Sequence, residues 1–103
     1  MDYLIVAFDG TDKYALSRRN AARPAHRRSS EELKKNGNLI CGGGLTGKSG
    51  ESIGSFMVMH FNDIDDFNKY LKEEPFIIEK VWKTIEIHPL RLTVAQELSG
   101  NDA

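Results

Sequence analysis

The chain has 103 residues, 40% of them hydrophobic and 28% charged, the balance of one small globular domain. A formal net charge of -1 argues against a nucleic-acid binder, which carries a strong basic excess, and a single cysteine, Cys41, excludes an intrachain disulfide. No apolar run approaches the roughly 20 residues of a membrane-spanning helix, and the acidic start "MDYLIVAFDG" is unlike a signal peptide, so the reading is a cytoplasmic protein with no membrane or nucleic-acid partner.

"YLIVAF" (3–8) is rich in β-formers and ends at "DG", which predicts a buried strand. Residues 11–37 are helical in character. Pro24 lacks an N–H, so the segment is expected to split into a short helix or turn over 13–21 and a main helix starting near Arg23. Lys34 and Lys35 suit the last turn, and "NG" (36–37) the stop. "NLICGGGL" (38–45) begins as a strand in which Cys41 is a small buried residue, and its three glycines signal a bulge or a close backbone approach. "TGKSGESIG" (46–54) reads as a loop and "SFMVMHF" (55–61) as a strand. "GGGLTGKS" (42–49) fits the spacing of a phosphate-binding loop, but a strand rather than a helix follows it, so it reads as a connector.

"NDIDDFNKYLKEEP" (62–75) predicts a second helix, capped by Asn62 or Asp63, with Ile64, Phe67, Tyr70 and Leu71 on its apolar side. "FIIEK" (76–80) is a connector of about one helical turn, and 81–94 a last strand interrupted by Pro89. In that strand Val81, Ile85 and Ile87 are expected to face the helices. Trp82, Thr84, Glu86 and His88 are expected on the other side. Residues 1–94 make the domain and 95–103 a C-terminal tail.

The order β-α-β-β-α-β is that of the α+β ferredoxin-like fold, with helices on one face of an antiparallel sheet. The first and third strands are too apolar to leave the other face wet. A homodimer packed sheet to sheet, an α/β barrel, is the expected solution.

"YLIVAFD", "RRNAARPAH", "NGNLICGGG", "GSFMVMHF" and "EPFIIEKVWKTIEIHPLR" follow in this order, and as an ordered set they resemble the YciI-like (YCII-related) family from residue 3 to about 92. The resemblance implies a dimeric α/β barrel of ferredoxin-like protomers and an active site built on a His–Asp pair. His26 matches the family's histidine and Asp9 the acid ending its first strand. Arg19 and Arg23 match its arginines, and Ser55 the serine of its Gly-Ser strand. The chain departs from the family in "GTD" after Asp9 and in "GGG" where Gly-Pro is common.

A carboxylate bonded to one imidazole nitrogen fixes the tautomer and raises the basicity of the other, so His26 with Asp9 is a candidate general base or acid. Arg19 and Arg23 suit a substrate carboxylate or phenolate, against the plainer reading of a solvated basic face shared with Arg18, Arg27 and Arg28. Ser55 is a candidate for orienting a substrate oxygen. His26, His60 and His88 have no compact metal-ligand spacing, so no metal and no cofactor are expected. The expected activity is proton transfer with an elimination, isomerisation or lyase-type outcome on a small, aromatic or carboxylated molecule. The rivals are a non-catalytic ligand-binding or accessory module on the same barrel, and a structural interaction domain.

Overall fold

A computed structural model describes residues 1–94; the expected tail, 95–103, lies outside the described residues. The elements are β1 (Asp2–Asp9), α1 (Ala15–Lys35), β2 (Leu39–Thr46), β3 (Ser52–His60), α2 (Ile64–Glu73), α3 (Pro75–Ile78) and β4 (Trp82–Leu90). The strands form one antiparallel sheet in the order β2-β3-β1-β4, the ferredoxin-like α+β arrangement. No described helix is long and apolar enough to cross a membrane.

Strand alternation assigns the two faces. Tyr3, Ile5 and Ala7 of β1 lie opposite Met59, Met57 and Ser55 of β3, and all six are buried under the helices. Phe67 of α2 stacks on Tyr3 with ring centroids 4.0 Å apart. Leu4, Val6, Phe8, Phe56 and Val58 point to the uncovered face, where Phe8 is 40% exposed.

Several expectations change. α1 does not split: it runs unbroken through Pro24. Pro24 denies the Asn20 carbonyl its helical donor, but both residues lie on the exposed side, where solvent can reach that carbonyl. The start of α1 is held by Asp12, whose carboxylate accepts the Tyr14 N–H at 3.2 Å and pairs with Arg18. The expected loop 46–54 shrinks to a hairpin turn, because β3 begins at Ser52 and pairs with β2 from Thr46. Strand therefore follows the "GGGLTGKS" segment. In α2, Asp63 caps by accepting the Asp66 N–H at 2.9 Å, while Ile64 is 45% exposed in the first turn, off the packed side. Cys41 is exposed rather than buried, because β2 is an edge strand and Cys41 pairs with Val58 on the uncovered face.

The last strand holds the largest change. The β1–β4 register shifts between Phe8 and Asp9, so Thr84 pairs with Phe8 but Trp82 pairs with Asp9. This bulge absorbs Lys83 and turns Trp82 to the helix side, where it is buried, instead of leaving it with Thr84, Glu86 and His88. Ile85 and Ile87 share the face of Ala7 and Ile5 but stay 37% and 39% exposed, because β4 is an edge that the helices do not cover. That edge position also accommodates Pro89, which has no N–H to give a neighbour.

Candidate active site

A cleft of about 570 Å³ lies between α1 and the β2–β3 side of the sheet. From α1 it takes Arg19, Arg23, His26, Arg27 and Ser30, residues spaced three and four apart on one helix face. Gly42, Gly43 and Gly44 of β2, Ser55 of β3 and Phe76 of α3 complete much of the wall.

Behind the cleft, Asp9 and Arg19 form a buried ion pair. Arg19 Nη1 donates to both Asp9 oxygens at 2.9 Å. Its Nη2 donates to the Gly54 carbonyl at 3.1 Å and to Ser55 Oγ at 3.0 Å. Ser55 Oγ also accepts the Trp82 indole N–H at 3.2 Å, so the turned Trp82 closes this network. Both terminal nitrogens of the guanidinium are thus engaged internally, while among the described residues Nε is buried without a partner.

The expected pairing of Asp9 with His26 is not what the structure has. Asp9 is taken by Arg19, and His26 Nδ1 meets Glu74 Oε2 at 2.7 Å. The reason lies in the fold. Pro24 interrupts no backbone, so His26 sits near the middle of a continuous helix, level with α3 rather than with the end of β1.

Glu74 is completely buried and caps α3, with Pro75 as the first helical residue. Its carboxylate also accepts the Phe76 N–H at 2.9 Å and the Tyr70 hydroxyl at 2.6 Å. Burial, together with the neighbouring Glu74 charge and that hydrogen bond, pushes the Tyr70 hydroxyl far above the ordinary tyrosine range, so it stays a donor. An ionised carboxylate only accepts. With Glu74 as a carboxylate, His26 Nδ1 is the donor of this contact and Nε2 is the ring nitrogen that Glu74 does not engage. The ring is fixed further by stacking on Phe76, with centroids 3.9 Å apart and planes within 7°. Arg19 Cζ lies 4.9 Å from the centroid of the same Phe76 ring, tying the two networks together.

The sequence profile of the YCII-related domain matches residues 1–91. The chain belongs to the YCII-related family. No curated protein matches it. Among solved structures it is similar to 5-chloro-2-hydroxyhydroquinone dehydrochlorinase (TftG) from Burkholderia phenoliruptrix AC1100, in complex with 2,5-dihydroxybenzoquinone. That likeness has 21% identity and a TM-score of 0.75 over 88% of this chain and 94% of that one, and it concerns the fold.

In this YCII-related protein the sequence reading found His26, Asp9, Arg19, Arg23 and Ser55, and the structure groups all five in or directly behind one cleft. It missed Glu74, although "EEPF" carried the signal: an acid before a proline suits a helix cap, and the capping oxygen, here Oε2, has a lone pair left for another donor. The other two histidines lie apart from the cleft. His60 meets Asp2 at 2.8 Å, and His88 meets Glu86 at 3.1 Å. No group of three or more His, Cys, Asp or Glu gathers among the described residues.

Proposed function

We propose that this YCII-related protein is a small cofactor-independent enzyme that moves a proton through His26, in an elimination, isomerisation or lyase-type reaction on a small anionic molecule. The observation that carries this reading is the 2.7 Å contact between His26 Nδ1 and the buried Glu74 carboxylate. It holds the ring in one tautomer, leaves Nε2 to take a proton, and stabilises the imidazolium that results. In an elimination, Nε2 removes a substrate proton, the C–H electron pair becomes the new double bond, and the leaving group departs with its own pair. Arg23 holds the negative charge that builds on the substrate oxygen. Asp9 and Ser55 serve as positioning residues, because they fix Arg19 rather than reach His26.

The fold's likeness to a dehydrochlorinase supports elimination as the first reaction type to test. The protein works as a cytoplasmic homodimer in this reading, each copy covering the partner's apolar sheet face around Val6 and Phe56.

The test is a panel of halogenated hydroxyhydroquinones and carboxylated C–H acids, read by halide release and by deuterium uptake from solvent. His26→Gln should lower the rate of any substrate found by about 100-fold or more while the protein stays folded. Undiminished turnover in His26→Gln overturns the proposed base. Ligand binding with no turnover in the native protein leaves the non-catalytic binding module instead.

A further inference from the structure

A helix that packs on a sheet normally turns an apolar stripe inward. α1 instead turns Arg19, Arg23, His26, Arg27 and Ser30 to the cleft, and its only buried residues are Arg19 and Ala22. Packing does not account for such a stripe. Nor does internal charge pairing: Arg19 is matched by Asp9, but among the described residues Arg23 and Arg27 have neither an ion pair nor a hydrogen bond. Among the described residues no aspartate or glutamate lines the cleft. A chain of net charge -1 therefore concentrates two unmatched guanidinium groups, one helical turn apart, beside a histidine.

The opposite wall is bare backbone. Gly44 lies opposite Ser55, on the side of the sheet that faces α1. Its backbone is not in the left-handed region, and a Cβ there would meet nothing nearer than the Gly54 carbonyl oxygen at 3.9 Å. Neither conformation nor packing demands a glycine at this strand position, which a side chain would strengthen. What the glycine preserves is free width between the sheet and the arginines.

Building on the proton-transfer reading, we infer that the cleft takes a flat molecule carrying two negative charges, held by Arg23 and Arg27 together, with Gly44 leaving room for its ring. Arg27 is then a substrate-binding residue rather than part of a solvated face. Two fork-shaped donors on adjacent turns match two anionic oxygens on a planar frame, while a monoanion engages one and leaves the other unmatched.

Calorimetric titration with two flat single-ring probes tests this: the 2,5-dihydroxybenzoquinone dianion and the benzoate monoanion. The native protein should bind the dianion at least about tenfold more tightly than benzoate, and Arg27→Gln and Arg23→Gln should each weaken the dianion by about tenfold or more. Arg27→Lys should recover part of that loss. Gly44→Val should block both probes with the fold intact by circular dichroism. A native protein that binds the dianion no better than benzoate, or an Arg27→Gln protein that binds it undiminished, overturns the inference. His26→Gln should still bind the dianion. Loss of turnover in His26→Gln beside an unaffected Arg27→Gln therefore removes the clamp and keeps the base. Dianion binding through Arg27 with turnover surviving in His26→Gln removes the base and keeps the clamp.

Discussion

Glu74 is the residue on which the proposed chemistry turns. It has no solvent exposure and answers three donors, from Tyr70, Phe76 and His26. A glutamine there keeps the shape but presents an amide NH2 to one of those donors, leaving a buried pair unmatched. Glu74→Gln is expected to cost about 2–4 kcal/mol in urea unfolding. It should also change the ¹⁵N signature of the His26 ring, because the nitrogen that carries the proton is no longer dictated. Unchanged histidine spectra would show that Glu74 does not set the tautomer. Tyr70 supplies a second test. Its folded-state ionisation lies above the unfolded one, so the neutral phenol's contribution to stability is complete below about pH 10 and is lost as pH rises beyond it. Absorbance at 295 nm should show one of the three tyrosines resisting ionisation until the alkaline unfolding transition, and Tyr70→Phe should remove that late step.

At the scale of elements, the joint between β1 and β3 is made by Gly54. A Cβ there would drive into the Ala7 carbonyl oxygen and press on Leu45 at 3.2 Å. The same glycine offers its carbonyl to Arg19. Gly54→Ala should therefore destabilise the protein by about 1–3 kcal/mol in denaturant unfolding, through forced separation of two central strands. It should also loosen the arginine cradle. The order of strands and helices was legible in the sequence from apolar runs and caps, but this joint was not: Gly54 read as the end of a loop over 46–54, and β3 begins at Ser52. What local reasoning could not reach was parity across a bulge. Trp82 reads as outward because alternation is counted without the extra residue, and only the pairing with β1 reveals that Lys83 is skipped. Pro24 is a similar case. Its local penalty, about 3 kcal/mol, is real, but a helix anchored by Arg19 on one side and His26 on the other bears it.

For the whole molecule, the uncovered sheet face is where the proposed dimer is tested. Leu4, Val6, Phe8, Phe56 and Val58 form a band that no described helix shields. Sedimentation should give the mass of a dimer, and Phe56→Glu should yield a monomer; a native monomer at high concentration would exclude sheet-to-sheet pairing. The site's location was legible at this scale as well, since Asp9, Arg19, Arg23, His26 and Ser55 do converge. Its wiring was not, because Asp9 is claimed by a partner 10 residues away and His26 by one 48 residues away.

That separation of 48 residues has a consequence for when the protein becomes competent. The arginine cradle joins β1, α1 and β3, with the Trp82 indole of β4 packed behind it. The orientation of His26 needs one thing more, the docking of α3, a single turn of helix carrying Glu74 at its start. On the proposed reading, a molecule in which that turn has come undone keeps its arginines but has no directed base. In the proposed mechanism the chemistry is thus gated by the shortest described helix, and hydrogen exchange at the Phe76 amide measures how often that gate stands open.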